Sequence, residues 1–153
     1  MSTSLPSLER MFELQPQIPQ ALRGLVSAAE RGGLDRRLIS LAEVRASQLN
    51  GCSFCLDMHC RIAREHGIDQ QLLDVLPAWR ETTFFSAREQ AALAWCEALT
   101  SPEDKLTIER VRPFVLQHLN EAELVNLSAV IVAINGWNRL VAGFGVMPQR
   151  KAA

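Results

Sequence analysis

Ala46–His66 reads A-S-Q-L-N-G-C-S-F-C-L-D-M-H-C-R-I-A-R-E-H and joins two helical patterns across the break Asn50-Gly51. Before the break, Leu38, Ile39, Ala42, Ala46 and Leu49 recur at the spacing of one helix face, with Asp35 placed to cap its start. After it, Ser53 to His66 reads as a second helix that Gly67 closes. The CxxC pair Cys52 and Cys55 thus lies at a helix start, where unpaired backbone N–H groups favour an anion such as a thiolate. At roughly 100° per residue, Cys52, Cys55 and His59 fall within about 60° of one another, whereas Cys60 lies about 140° from Cys55.

The rest of the chain extends the helical pattern. Met1–Pro19 reads as a docked arm around Met11, Phe12 and Leu14, with at most a brief helix. Leu22, Leu25, Val26 and Ala29 mark a helix over 20–31 that Gly32-Gly33 ends. Asp69 caps a short helix through Leu76, and Pro77 turns the chain. Ser86 with Glu89 forms a capping box for a helix through Leu99, and Asn120 with Glu123 forms another for a final helix through Leu140. Between them, a turn at Thr100-Ser101-Pro102 leads to a helical pattern from Leu106 to His118, which Pro113 should restart or kink. No segment alternates apolar and polar residues for long, and the turn signals fall at helix-length intervals. The sequence predicts an all-α protein with residues 1–153 in one domain and 1–19 as its arm.

A chain of 153 residues is long enough to bury a real core. With 16 Lys+Arg against 17 Asp+Glu, the net charge of -1 offers no field to gather nucleic acid or anionic lipid, so neither is expected as a partner. The N-terminal stretch lacks the apolar run of a secretory signal, and the apolar stretch Ser128–Ile134 is short for a bilayer span. A cytoplasmic location is expected. In that reducing setting a CxxC is read as catalytic or metal-binding before it is read as a structural staple.

Two thiols with an imidazole one turn beyond suit a dithiol peroxidase, in which one thiolate attacks and the second condenses with the resulting sulfenic acid. A thioredoxin-like reading needs neighbouring strands, which the pattern lacks. Cys52, Cys55, His59 and Cys60 also resemble a zinc set, but Cys60 projects away, and structural zinc sites usually draw ligand pairs from separate segments. No metal and no cofactor is expected. Cys60 and Cys96 read as small buried hydrophobes, His66 and His118 as helix-end residues without visible partners, and Trp79, Trp95, Trp137, Phe84 and Phe85 as core aromatics. The last helix is apolar on nearly every face and is followed by the apolar Val141–Val146, a pattern expected of a closed homo-oligomer.

The chain resembles the carboxymuconolactone decarboxylase-like superfamily in its alkylhydroperoxidase AhpD-like branch. The resemblance rests on R-A-S-Q-L-N-G-C-x-F-C-x-D-M-H at Arg45–His59, A-W-R-E-T at Ala78–Thr82 and A-I-N-G-W-N-R-L at Ala133–Leu140. It implies a helical homotrimer or homohexamer with peroxide-reducing, thiol-dependent chemistry, and for such a dithiol cycle an external lipoyl or thioredoxin-type dithiol is the expected reductant. It also implies Cys55 as the peroxidatic thiol, Cys52 as its resolving partner and His59 as the proton-relay imidazole. The relay glutamate of the branch aligns with Ser40, and Glu43 lies one turn later on a similar face, where it can substitute only if its side chain reaches inward. Phe54 stands where AhpD proper has a histidine. A redox sensor without turnover is the alternative reading; a lactone decarboxylase is a weaker one, because that branch lacks the CxxC.

Overall fold

The break at Gly51 sets the geometry of the molecule. In a computed structural model that describes residues 5–101 and 105–150, helix α3 (Arg36–Leu49) begins where the Asp35 carboxylate accepts the Arg37 N–H at 2.8 Å. It ends in a Schellman turn: the Gly51 N–H donates to Gln48 O at 3.2 Å and the Cys52 N–H to Ser47 O at 3.1 Å. Gly51 has φ +63, a conformation that a side chain disfavours, so glycine is required for the tight reversal into α4 (Ser53–Glu65). Gly67 at φ +82 repeats the device at the far end of α4.

The other helices are α1 (Leu8–Leu14), α2 (Gln17–Arg31), α5 (Gln70–Val75), α6 (Ala87–Thr100), α7 (Lys105–His118) and α8 (Glu121–Gly143), with a 3-10 helix over Leu76–Glu81. Among the described residues there is no strand. Both capping boxes form, Ser86 with Glu89 and Asn120 with Glu123. Helix α3 is the shared wall of two cores. On one side Ala42, Ala46, Leu38 and Ile39 pack with Trp95, Cys96, Leu127 and Ile131 of α6 and α8; on the other Leu41 and Val44 pack with Ile68, Leu76, Trp79 and Leu93. Nine of its residues are buried, including Ser40, Glu43 and Ser47, so its polar side chains must find partners inside the fold.

Several expectations need correction. Helix α2 starts at Gln17, because Pro16 at φ -65 enters the helix smoothly and Pro19 in the first turn forfeits no intrahelical bond. Leu49 is 39% exposed rather than inward, and Phe84 is 50% exposed rather than core. Helix α7 runs through Pro113, which is exposed there with Glu109, so the freed carbonyl reaches water. Helix α8 continues to Gly143, and Val141 is buried rather than part of a loose apolar tail. The turn expected at Thr100-Ser101-Pro102 is described only through Ser101, the cap of α6; residues 1–4 of the arm also lie outside the described segment.

Helix α8 passes a membrane span's test of length and composition, yet α2, α3 and α6 pack on it and it carries the buried Asn138. Only 39% of its most apolar stretch is buried within the chain, which leaves Val125 at 69% and Val132 at 58% exposed.

Candidate active site

Cys52 is the N-cap of α4, at φ -85 and ψ 95, and its Sγ accepts the Cys55 N–H at 3.3 Å. The residue is therefore beside the helix rather than on its face, but the extended cap conformation folds its side chain back over the first turn. The two sulfurs are joined in a disulfide across a Cα–Cα distance of 5.3 Å. Both cysteines are buried, and Val141, Phe54 and Val146 pack around them. Of the two sulfurs, it is that of Cys52 which a helix-start N–H contacts.

One turn beyond Cys55, His59 is 7% exposed. Its Nδ1 is shielded from water and lies 3.1 Å from Glu43 Oε2, an ion-pair distance, although the angle misses that of an aligned hydrogen bond. Glu43 therefore reaches inward from α3. Ser40, one turn earlier, instead places its Oγ 2.8 Å from Nδ1 of His66. A carboxylate beside Nδ1 favours the tautomer with the proton on that nitrogen.

A polar chain holds this geometry from behind. Asn50 donates to Asn135 Oδ1 at 3.0 Å and to Asn138 Oδ1 at 2.9 Å; Asn138 donates to Ser47 Oγ at 3.1 Å, and Ser47 donates to the Glu43 carbonyl at 2.7 Å. The turn that presents Cys52 is thereby tied through α8 to the segment of α3 that carries Glu43. Sequence reasoning did not anticipate this link, although the Asn135 and Asn138 of A-I-N-G-W-N-R-L pointed to it: amides three residues apart on an apolar helix, one half-buried and one buried, demand partners.

Cys55, His59 and Glu43 line a cavity of about 480 Å³. Its walls come from α1 (Leu8, Phe12), α2 (Arg23, Val26, Ser27), α4 (Phe54, Met58) and α8 (Trp137, Val141). Trp137 thus lines the cavity and meets Phe12 edge-on at 5.8 Å, rather than being simply a core aromatic. Cys52 is not among the lining residues, so of the two cysteines Cys55 is the one that meets the cavity.

The remaining predicted residues are elsewhere. Cys60 is half-buried against the second core, and burial pushes its thiol up. Cys96 is wholly buried, donates to Ala42 O at 3.3 Å, and burial pushes its thiol up to about 12. His66 and His118 do have partners, Ser40 for the first and Phe114 O at 2.9 Å for the second. Among the described residues, no cluster of three or more His, Cys, Asp or Glu is arranged to hold a metal.

The family model of the carboxymuconolactone decarboxylase family matches residues 16–98. The uncharacterized protein YdfG of Bacillus subtilis (strain 168) is 33% identical over 134 residues, 88% of this chain and 91% of that protein. A crystal structure of a protein of unknown function from Agrobacterium tumefaciens, a candidate antioxidant defence protein AhpD, superposes with a TM-score of 0.83 at 31% identity, covering 92% of this chain and 97% of that one. The debrominase Bmp8 superposes with a TM-score of 0.74 at 21% identity over 92% of this chain and 75% of its own, a likeness of fold alone. With its helical AhpD-like fold and its CxxC at a helix start, the chain belongs to the carboxymuconolactone decarboxylase family.

Proposed function

We propose that the protein is a thiol-dependent hydroperoxide reductase that cycles between the Cys52–Cys55 dithiol and disulfide. One observation carries the reading: Cys55 and His59 meet in a single cavity, with the Glu43 carboxylate against the imidazole. In the reduced protein the Cys55 thiolate attacks the terminal oxygen of the hydroperoxide. The O–O bond breaks, the Cys55 sulfur becomes a sulfenic acid, and the alkoxide leaves as an alcohol with a proton from the His59 imidazolium. The Cys52 thiol then attacks the sulfenic sulfur, the disulfide forms and water departs. An external dithiol, lipoyl or thioredoxin-type, restores both thiols and becomes a disulfide itself, so one hydroperoxide and one dithiol yield alcohol, water and disulfide.

Cavity size favours an organic peroxide. At water's share of roughly 30 Å³ per molecule, hydrogen peroxide fills little of about 480 Å³. The exposed Val125 and Val132 of α8 support a further part of the proposal, a homotrimer or homohexamer that covers this helix. The test is turnover: purified protein should consume an alkyl hydroperoxide continuously while dithiothreitol, dihydrolipoamide or a thioredoxin-type donor lasts. Consumption of one equivalent per subunit, followed by arrest with donor still present, would support the sensor reading instead.

A further inference from the structure

The cavity is charged unevenly. At its buried end stand Cys55, His59 and Glu43, where, in the reduced protein of the proposed cycle, a thiolate and a carboxylate outnumber the single imidazolium. Leu8, Phe12, Val26, Met58, Trp137 and Val141 form an apolar body. The positive group at its edge is Arg23, on the exposed face of α2. Its guanidinium carbon lies 5.7 Å from the Phe12 ring centroid and 5.9 Å from that of Trp137, so the two rings that meet edge-on also carry the cation. Among the described residues no carboxylate lies within ion-pair distance of Arg23, unlike Arg37, Arg45, Arg80 and Arg88, which all pair with glutamates.

From this polarity we infer that the substrate is an amphipathic alkyl hydroperoxide bearing a carboxylate, held by Arg23 with its apolar chain along the Phe12 and Trp137 side of the cavity. The inference rests on the proposed reading of Cys55 as the attacking thiol, and it adds the substrate class. Two physical reasons fix the orientation. A carboxylate is repelled from the end that holds Glu43 and the thiolate and attracted to the guanidinium, while the chain gains by leaving water for an apolar lining. The peroxide group, uncharged, is the part of such a molecule that tolerates the inner end. Stacking on two rings also holds the guanidinium in place before the ligand arrives, so less side-chain freedom is lost on binding.

The experiment separates this inference from the peroxidase reading by measuring binding without chemistry. Octanoate and octanamide, matched in chain and differing in charge, are titrated calorimetrically into reduced wild-type protein and into Arg23→Gln and Arg23→Lys, with circular dichroism confirming that the variants are folded. Octanoate should bind wild type roughly two- to fivefold more tightly than octanamide, a range suited to an ion pair at a solvent-exposed mouth. Arg23→Gln should erase the difference and leave octanamide unchanged, and Arg23→Lys should restore part of it. Equal affinity of the two ligands for wild type, an equal loss of both in Arg23→Gln, or no binding of either overturns the inference. In kinetics, Arg23→Gln should raise KM for a fatty-acid hydroperoxide but not for its methyl ester, with kcat unchanged. Absence of turnover with every hydroperoxide would overturn the peroxidase reading while the calorimetry still decides the role of Arg23.

Discussion

Helix α4 turns two imidazoles toward α3, and α3 answers them differently. His59 meets the carboxylate of Glu43 at 3.1 Å and opens onto the cavity; His66, at the helix end, meets the hydroxyl of Ser40 at 2.8 Å and lines no part of it. The helices run antiparallel, so the earlier α3 residue pairs with the later α4 residue. A carboxylate can stabilise an imidazolium by charge, whereas a hydroxyl offers only a hydrogen bond. The position that resemblance assigns to the relay glutamate is thus spent on an end-of-helix contact, and a carboxylate one turn along α3 stands at the imidazole of the cavity. What is retained is the helix face, not the aligned position.

The severest way to break the comparison is to remove what it serves. Cys55→Ser should abolish hydroperoxide turnover, and Cys52→Ser should stop after one event with sulfenic acid on Cys55, both readable by mass spectrometry after one equivalent of peroxide. Sulfenic acid on Cys52 in the reciprocal variant, at normal rates, would reverse the roles, an outcome the capping N–H at Cys52 makes worth measuring. Peptide mapping of the mildly oxidised wild type should find Cys52–Cys55; Cys96, with its thiol pushed up to about 12, should stay reduced.

The hydroxyl pair sharpens the contrast from the other side. Ser40→Glu places a second carboxylate beside His66, away from the cavity, and should not raise the peroxidase rate; a rise would mean that a relay was missing and that Glu43 does not act as one. Ser40→Ala should change the rate less than about twofold, because the lost hydrogen bond is worth about 1 kcal/mol of stability.

Glu97 shows what an acid with a purely structural setting looks like. Burial pushes its carboxyl up, but the Trp79 indole and the Arg80 and Arg45 guanidiniums outweigh burial and hold it below the usual range. A lowered folded pKa means stability that is present above the unfolded carboxylate value and lost as pH falls through the folded one. Glu97→Gln should therefore cost about 1–3 kcal/mol in neutral denaturant melts, with the gap to wild type closing on acidification and peroxidase rate at neutral pH unchanged.

The helices were legible because their punctuation is local: Asp35, Gly51, Gly67, Ser86 with Glu89 and Asn120 with Glu123 each act within a few residues. The placing of the CxxC at a helix start, with His59 one turn beyond Cys55, was legible for the same reason. What the sequence hid depends on tertiary approach. Whether Glu43 turns inward is decided by how α3 faces α4, and the inclusion of Phe12, Arg23 and Trp137 in one cavity by how the arm and α2 lie on α8. Leu49 was misread because a stripe at helical spacing cannot show where the neighbouring helix stops covering it.

The most direct measurement is single-turnover sulfenic acid formation on Cys55 in the Cys52→Ser background, compared between otherwise unaltered protein, Glu43→Gln and Ser40→Ala. If the carboxylate–imidazole pair serves the thiol, Glu43→Gln should slow the reaction by about tenfold or more, a part of the roughly 100- to 10,000-fold that general acid–base assistance supplies, while Ser40→Ala leaves it nearly unchanged. Equal rates in all three proteins would contradict the account and mean that His59 acts without Glu43.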